Sequence, residues 1–525
     1  MIVPFSSSRA APLLMFGAVA CAQFNGIDIR DKIEEIEHLW VDNRGTNSDG
    51  FVGGVTPCAN YIGFASNGRN RGEQTSAQWV RMVFHDSVTA NLAAGTGGVD
   101  ASIGFESNRA ENSGLFINDT LQFMRPTVNA YLSMADNIAL GLVVSLVTCG
   151  GANTGIPLRA GRIDAVEAGP AGVPEPTTDL ATTLAQFAAA GFNQSETIAL
   201  TACGHSLGRT HYSNFPDIIS SLDGGVGFDS TPAAFDSSVV NEYLEGSGLL
   251  GGPLVTASNS SDQSDLRLYI SDKNITMQAL STEAVFQTQC NSLFERMLNT
   301  VPSAVILSDP ISPMTWKGVS IILDISSAGV VSVSGSIRNL YTTITRPATV
   351  PFTLTTSAGT SAILASTSAI GAGSGIFGST IYWSFNSTTT SPGTTSVNFG
   401  DVVYPVNDQI FITPLQSINN RGAITVKAAV LTSLVGSSTM TAVLYVPGTQ
   451  QGSLSPKITN TTIAMTSYGT VGLYTLFASG STTVGGGGAP GGPGGGGGGG
   501  GTIVVKALLG DIASRTVKST LFARA

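Results

Sequence analysis

Charged residues are scarce in this chain, since only 11% of its 525 residues are Asp, Glu, Lys or Arg. The 25 Lys and Arg are outnumbered by 35 Asp and Glu, and the formal net charge is -10. A protein that binds nucleic acid needs Lys and Arg clustered against the phosphates, so this shortage of cations excludes nucleic acid as an expected partner. Low charge with abundant Ser, Thr and Gly is common in extracellular proteins.

Long apolar runs are scarce as well. Residues 10–20 form one behind Arg9, and the tripeptide Ala20-Cys-Ala closes it with the small residues of a cleavage site. A buried core helix is the alternative, but the position at the terminus favours a signal peptide. We therefore predict a signal peptide at residues 1–22 and a secreted protein. No later stretch is long and apolar enough to predict a membrane span.

Cysteine is rare, with five in the chain. Cleavage of the signal peptide would remove Cys21 and leave Cys58, Cys149, Cys203 and Cys290. In an exported protein this even set predicts two disulfides, and the sequence allows three ways of pairing them. N-x-S/T sequons predict a glycosylated surface. They begin at Asn118, Asn193, Asn259, Asn274, Asn386 and Asn460.

Two patterns divide the chain, which is too long for one compact domain of ordinary size. Up to about residue 300 the apolar residues follow helical spacing, and residues 31–39 carry an acidic helix face. Helices are predicted at residues 75–85, 118–124, 127–147, 177–190, 195–202 and 283–299. After Pro302, short β-branched segments alternate with Ser, Thr, Gly and Asn, which is typical of a β-sandwich. Strands are predicted at residues 305–307, 319–325, 330–337, 410–413, 423–431 and 441–446.

The resulting fold prediction is a mainly α domain at residues 23–300 and an all-β, sandwich-like domain at 301–484. Residues 485–501 are almost pure glycine, which cannot bury apolar surface and predicts a flexible loop or linker. The glycines lack the lysine of a phosphate-binding loop, so nucleotide binding is excluded there. Residues 502–525 are expected to return as strands that complete the β domain.

The segment from Trp79 to Asp86 concentrates reactive side chains. On a helix, Arg81 and His85 share one face. A neutral imidazole can move a proton between the two oxygens of a peroxide, while a guanidinium stabilises the charge that develops as the O–O bond breaks. For the pair alone, an ordinary surface Arg–His pair is the alternative. Downstream, the amide oxygen of Asn112 could accept a proton from one histidine nitrogen and leave the other as a base.

These residues resemble the distal motif of the plant, fungal and bacterial haem peroxidase superfamily, R-x-x-F/W-H-D followed by an acidic residue and an asparagine. The resemblance implies a mainly α haem-peroxidase fold that binds one haem b. It also implies that Arg81, Phe84, His85 and Asn112 are distal residues, with Glu106 supporting Asn112.

The segment from Leu200 to His211 resembles the proximal motif of the same superfamily, which implies that His205 ligates the haem iron through Nε2. A carboxylate on the other nitrogen makes such an imidazole more basic. Asp272 is the candidate for this role, because the residues before it resemble the family's L-x-S/T-D segment. A helix-capping aspartate is the alternative.

Two calcium sites are implied by further resemblance, and both are rich in the oxygen ligands that Ca²⁺ takes. The distal loop of the family corresponds here to Asp86, Gly98, Asp100 and Ser102, for which a polar turn is the alternative. Residues 227–236 resemble the second site of fungal secreted (class II) peroxidases, with the ligands Ser206, Asp229, Thr231, Ala234 and Asp236. Phe228 stands where some intracellular relatives carry a radical-forming tryptophan, so no protein radical is expected directly beneath the haem.

Departures from the class II pattern bear on the substrate. The three acidic positions of manganese oxidisers hold Gln74, Gln78 and His211, and the position of the exposed tryptophan of lignin oxidisers holds Leu200. The resemblance therefore implies a generic peroxidase that oxidises small phenolic or other reducing substrates at the haem edge. It also implies a Cys58–Cys149 bridge. Cys203–Cys290 is predicted next, because the usual partner beyond Cys290 is missing.

The leading hypothesis is a secreted, monomeric peroxidase that reduces H₂O₂ through an oxyferryl intermediate. The alternative is a glycosylated cell-wall or matrix binding protein that contacts polysaccharide through its β domain and keeps a peroxidase-like scaffold. The presence of Arg81, His85, Asn112 and His205 argues against an inactive scaffold. A haem catalase-peroxidase is disfavoured, because Phe84 stands where those relatives carry tryptophan.

Overall fold

A computed structural model describes the chain from residue 26 to residue 524, except for residues 64–71, 151–154, 221–224, 343–347, 362, 367, 390–391 and 485–501. The predicted signal peptide and the glycine-rich segment lie outside the described residues.

The described part up to residue 299 is mainly helical. Its helices are α1 (Ile29–Val41), α2 (Thr75–Ser87), α3 (Phe116–Met124), α4 (Met134–Cys149), α5 (Leu180–Ala189), α6 (Gln194–His205), α7 (Ser238–Glu245), α8 (Pro253–Thr256), α9 (Ser264–Tyr269), α10 (Ile275–Ala279) and α11 (Glu283–Asn299). Between them lie short strands, β1 (Arg44–Gly45), β2 (Arg209–His211) and β3 (Gly225–Gly227).

Side-chain caps explain where several helices begin. Asn193 and Glu196 form a reciprocal capping box at the start of α6. The helix expected at residues 127–147 begins later, because the Ser133 side chain accepts a hydrogen bond from the Asp136 amide and starts α4 there. The preceding Arg125–Thr127 is a single 3₁₀ turn with Pro126 inside it.

Two disulfides connect the helices. Cys58–Cys149 joins the segment before α2 to the end of α4, and Cys203–Cys290 joins α6 to α11. Both predicted pairs are therefore confirmed, and the second one fixes the helix that carries His205.

From residue 316 onward the described chain is mainly strands, so the predicted order of a helical part followed by a β-rich part is confirmed. The strands are β4 (Trp316–Ile325), β5 (Val331–Tyr341), β6 (Val350–Thr356), β7 (Gly359–Thr360), β8 (Leu364–Ser366), β9 (Ser368–Gly375), β10 (Gly378–Thr388), β11 (Thr394–Phe399), β12 (Val402–Pro405), β13 (Ile410–Ile412), β14 (Ile418–Asn420), β15 (Ala423–Thr425), β16 (Lys427–Leu431), β17 (Met440–Gln450), β18 (Ser453–Val471), β19 (Tyr474–Ser479), β20 (Thr482–Thr483), β21 (Val504–Leu509), β22 (Ile512–Ala513) and β23 (Val517–Lys518). The short helix α12 (Thr432–Val435) follows β16.

The larger sheets pack through shared apolar clusters. One sheet has the order β1-β9-β10-β5-β4, a second runs β12-β11-β6-β7, and a third runs β13-β16-β19-β18-β17-β21-β22. Val333 and Trp383 of the first sheet share a buried cluster with Phe352 and Val397 of the second and Phe411 of the third. Apolar faces that meet in this way form a sandwich-like core. Residues of the C-terminal β21 pair with β17, from Met440 opposite Leu509 onward.

The strand expected at residues 305–307 is wrong, because these residues lie in no helix or strand. The segment after α11 instead runs along the helical part. The Ser303 amide donates to Gly95 O at 3.0 Å, and the Ile311 amide donates to Leu158 O at 2.7 Å. The backbone hydrogen bonds of this segment are thus made to loops of the helical part rather than to a neighbouring strand.

Helix α1 is held between the two parts. The buried Glu37 carboxylate pairs with Lys317 of β4 and with Arg338 of β5, and Arg338 also contacts Asp42 at 3.1 Å. The hydroxyl of the buried Tyr382 donates to Asp42 at 2.6 Å. Burial alone would raise the pKa of Glu37, but the two adjacent cations reverse the effect and hold that pKa below its ordinary value.

The segment from β22 to β23 forms ion pairs with the start of the same helix. Arg515 lies 3.0 Å from Asp28 and 2.7 Å from Asp31, and Lys518 lies 2.5 Å from Glu35. Strand β1 adds a backbone connection by pairing with β9. Because the N-terminal helix joins the β region so closely, the domain border drawn at residue 300 stays a prediction.

Within the described ranges, no helix combines the length and the apolar character that crossing a bilayer requires.

We predict that Arg338→Met lowers the free energy of unfolding by about 3–5 kcal/mol, because it leaves the buried Glu37 and Asp42 carboxylates with too few cations. Chemical denaturation measures the change. Arg296→Met is the matched control. Its pair with Glu196 is exposed, and its loss should lower the free energy of unfolding by at most ~1 kcal/mol. Equal effects of the two changes would contradict a special role for the buried cluster.

Candidate functional site

A cavity of about 270 Å³ lies between α2 and α6. Arg81 and His85 line it from α2, and His205 lines it from the end of α6. Apolar side chains form much of the remaining wall, namely Phe84, Phe116, Phe187, Leu200 and Phe228. The two histidines that the sequence singled out, 120 positions apart in the chain, therefore meet in one cavity.

On the α2 side, His85 is held by two hydrogen bonds. Its Nδ1 lies 2.7 Å from the Asn112 Oδ1, and its Nε2 accepts from the Arg81 Nε at 3.1 Å. Because the Asn112 oxygen can only accept, Nδ1 carries the proton and Nε2 keeps its lone pair. Burial, reinforced by the Arg81 charge, lowers the pKa of His85 well below its ordinary value. The imidazole is therefore neutral at neutral pH, the form that can act as a base.

Glu106 supports this arrangement through its backbone. The Asn112 Nδ2 donates to the Glu106 main-chain carbonyl at 3.1 Å, which fixes which end of the amide faces His85. The Glu106 carboxylate accepts from the Gly169 amide at 2.8 Å and lies 3.0 Å from Arg109. It thereby anchors the loop that presents the carbonyl.

Phe116 is a site residue that the sequence analysis missed. Its ring centroid lies 4.9 Å from that of His85 and 4.1 Å from the Arg81 guanidinium carbon. The ring restricts both polar groups from one side. The sequence contains no motif for this residue. Its ring reaches the Arg81 guanidinium because of the turn between Asn112 and α3, which the sequence pattern does not predict. The predicted Phe84 lies beside His85, with ring centroids 5.7 Å apart.

On the α6 side, the carboxylate partner of His205 is Asp265, and the prediction of Asp272 is wrong. The Asp265 Oδ2 lies 2.7 Å from the His205 Nδ1. Asp272 instead accepts from the Thr276 amide at 2.9 Å and from the Thr276 hydroxyl at 2.6 Å, which caps α10. A Ser-Asp pair occurs three times in this stretch, at residues 261–262, 264–265 and 271–272, so the pattern alone does not select the partner of His205. Asp265 lies near the start of α9, which packs beside α6.

Phe228 stacks on the His205 ring, with centroids 4.1 Å apart and planes inclined by 11°. Since Nδ1 is taken by Asp265, the free ring nitrogen is Nε2. His205 lines the cavity with 29% of its side chain exposed. The stacked ring and the carboxylate therefore fix the orientation of a nitrogen that can bind a metal.

The expected distal calcium residues lie together next to His85. The Asp86 carboxylate accepts from the Asp100 and Ala101 amides at 3.0 and 2.8 Å, and from the Ser102 hydroxyl at 3.4 Å. Gly98 lies where a β-carbon would be 2.2 Å from Thr300 O, which accounts for the glycine there. Burial and the adjacent Asp100 raise the pKa of Asp86 well above its ordinary value. Two carboxylates this close are better accommodated by a cation.

The expected proximal calcium residues also converge. The Thr231 hydroxyl contacts Asp229 at 3.3 Å and Asp236 at 3.2 Å, and the Ala234 amide donates to Thr231 O. Burial raises the pKa of Asp229 to about 7, and its Oδ2 is a buried oxygen that accepts no hydrogen bond. Ser206, directly after His205, is fully buried. The orphaned oxygen fits a cation ligand.

Among the described residues, no group of three or more His, Cys, Asp and Glu side chains is placed to hold a metal. Each candidate calcium cluster has two carboxylates, so the remaining ligands would be hydroxyl and carbonyl oxygens. Ca²⁺ accepts such mixed oxygen sets.

Gln74 and Gln78, which stand at two of the acidic positions of manganese oxidisers, are hydrogen-bonded within the lining of the cavity. The Gln78 Nε2 donates to Asp119 at 2.9 Å, and the Gln74 Oε1 accepts from Arg209 at 3.0 Å. His211 and Leu200 line the cavity. Neutral carboxamides at these two positions do not supply the carboxylates that a Mn²⁺ ion needs as ligands.

Comparison with known proteins agrees with this geometry. Residues 64–287 match the model of the peroxidase family. They form a peroxidase-family domain. A versatile peroxidase of Pleurotus eryngii is 30% identical over 185 residues, 33% of this chain and 48% of that protein. A ligninase of Phanerodontia chrysosporium is 29% identical over 230 residues, 40% of this chain and 59% of that protein.

The similarity also extends beyond the peroxidase domain. A protein of Arthroderma benhamiae described as a WSC domain-containing protein is 40% identical over 325 residues, 60% of this chain. The match covers 43% of that protein, and the chain spans about half the length of the curated relatives it matches. Fungal class II peroxidases are thus among the relatives of the domain.

The peroxidase family implies haem, and the cavity fits it. Apolar walls suit a macrocycle, His205 would offer Nε2 to the iron, and the Asp265 carboxylate would make that imidazole more basic through its hydrogen bond to Nδ1. Arg81 and His85 line the same cavity from α2.

We predict that Asp265→Ala weakens haem binding by about 10–100-fold, because outer hydrogen bonds to a ligating imidazole contribute that much to affinity. Titration of the haem-free protein with haemin, followed at the Soret band, measures the constant. Asp272→Ala should leave it unchanged. Equal losses in the two variants would contradict the assignment of Asp265.

Proposed function

We propose that this chain is a haem-dependent peroxidase that reduces H₂O₂ and oxidises small reducing molecules. The single observation that supports the proposal most is the pairing across one cavity. His85 with Arg81 and Asn112 stands on one wall, and His205 with Asp265 stands on the other. Either histidine alone could be structural, but the two supported histidines together fit peroxide cleavage at a bound haem.

When bound, the haem supplies the iron that receives the peroxide and the redox equivalents for its reduction. The His85 Nε2 accepts a proton from the oxygen that binds and returns it to the leaving oxygen, which departs as water. The Arg81 guanidinium stabilises the negative charge on that leaving oxygen. Asn112 holds the Nδ1 proton, so the base always faces the cavity. His205 would bind the iron through Nε2.

The proposed electron donors are small phenols or similar reductants that reach the haem edge. The tied carboxamides of Gln74 and Gln78 support this proposal over manganese oxidation, because Mn²⁺ binding needs ionised oxygens. Leu200 is a buried apolar residue, which supports it over a surface tryptophan route.

The proposed setting is extracellular, with a monomeric and glycosylated chain. Two disulfides support an oxidising compartment. Of the predicted acceptors, Asn193, Asn259, Asn386 and Asn460 are exposed. Contact of the β region with cell-wall polysaccharide belongs to this proposal as a second role. An adhesive protein with an inactive scaffold is the weaker alternative, since a scaffold has no need for a supported neutral His85.

We predict that His85→Ala retains haem but reacts with H₂O₂ about 10²–10⁴-fold more slowly, the usual contribution of a positioned proton-transfer group. Stopped-flow absorbance at the Soret band after one equivalent of peroxide measures the rate. His38→Ala removes a half-buried histidine outside the cavity lining and should react like the unaltered protein. An unaltered chain that binds haem and fails to react with peroxide would contradict the proposed function.

We also propose two Ca²⁺ ions per chain, and predict that calorimetric titration of chelator-treated protein gives two equivalents. Asp229→Asn and Asp100→Asn should each lower the count to one, because each removes a charge from a different cluster. Asp217→Asn changes an exposed aspartate and should keep two. A count of two in the Asp229 variant would overturn the proximal site.

A further inference from the structure

The start of strand β18 lies against the loop that carries the distal residues. A β-carbon added to Gly104 would lie 2.7 Å from the hydroxyl oxygens of both Ser453 and Ser455. Gly104 sits in the 3₁₀ turn Ser102–Phe105, and its φ is not in the left-handed region. A side chain at this position would therefore displace the two serine hydroxyls of β18, whereas the backbone conformation itself would allow one.

The contact is part of a wider packed surface. Ser455 is 4% exposed, and the apolar Leu454 and Ile458 of β18 pack against the core of the helical part. Strand β18 also contacts α3, which begins with Phe116. The β region thus touches both neighbours of Asn112 along the chain, the turn before it and the helix after it.

Hydrogen bonds lead from this turn to the catalytic histidine. The Glu106 amide donates to Ile103 O at 3.0 Å, so the turn fixes the position of the Glu106 backbone. The Glu106 carbonyl then holds Asn112, and Asn112 holds the His85 Nδ1. A shift of the turn would move the Glu106 carbonyl, and with it the Asn112 amide that is hydrogen-bonded to the His85 Nδ1.

We propose that Ser453 and Ser455 of the β region are positioning residues for His85, acting through Gly104, Glu106 and Asn112. This inference rests on the proposed peroxide reaction and deepens it. It gives the β region a part in catalysis, in which the first residues of β18 close on the distal loop and limit the movement of its turn. The reaction with peroxide depends on this contact, whereas oxidation of the donor at the haem edge does not use His85 in the same way.

The test is a cycle of variants in the full-length haem protein. Gly104→Ala places a methyl group against the two hydroxyls. A misplacement of this kind should lower the rate constant for reaction with H₂O₂ about tenfold or more. The donor rate constant should change less than the peroxide rate constant. Ser453→Ala with Ser455→Ala removes both hydroxyls and leaves a gap over the turn, so this double change alone should also lower the peroxide rate constant. In that background the methyl group of Gly104→Ala fills the gap and should recover most of the lost rate.

Gly53→Ala is the matched control. Gly53 also lies in a 3₁₀ turn, Phe51–Val55, and a β-carbon there meets nothing within 4 Å. Its peroxide rate constant should equal that of the unaltered protein. The inference is overturned if Gly104→Ala keeps the peroxide rate, or if it loses rate that the double serine change does not recover.

Hydrogen–deuterium exchange separates this inference from the proposed function. Amides of residues 100–112 should exchange faster in Gly104→Ala and in the double serine variant, and should return towards the original rate when the three changes are combined. If the unaltered chain does not react with peroxide, the proposed function fails, and the exchange data still decide whether β18 restrains the distal loop. Unchanged exchange in Gly104→Ala overturns the inference even in an active protein.

Discussion

The structure depends on the burial of opposite charges between helix α1 and the β region. Glu37 and Asp42 share Arg338 in a space from which water is excluded, and Lys317 completes the neutralisation of Glu37. Separated charges in such a place would each lose several kcal/mol of hydration without compensation. The two parts of the chain are therefore joined by a specific fit rather than by a generic apolar surface.

The α2 side of the cavity was predictable because its information is local. Arg81 and His85 lie one helical turn apart, so any helix places them together, and the caps and turns that bring up Asn112 follow within the same stretch of sequence. The partner of His205 was not predictable in this way. The choice between Asp265 and Asp272 depends on where α9 packs against α6, which is a property of tertiary structure and not of the Ser-Asp pattern.

The β region shows a similar division. Segments with alternating β-branched residues, such as β5 and β16, were anticipated from their pattern. The long strand β18 was not, because its Ser, Thr and Asn residues leave mostly exposed positions and little apolar alternation. The acidic face of α1 has the pattern of a solvated helix surface. In the folded chain this face is an interface, because Arg338 and Arg515, which are distant in sequence, form ion pairs with its carboxylates.

The pairing of α1 with the last strands has a consequence for how the chain acquires its structure. Asp28 and Arg515 are separated by 487 positions, so their contact closes a very long loop of chain. Contacts of such long range form late, since the entropy of closing the loop is lost before they contribute. Before this contact forms, the carboxylates of Asp28 and Asp31 lack the Arg515 guanidinium as a partner. Stabilisation of α1 is thereby coupled to formation of the strands around Arg515 and Lys518.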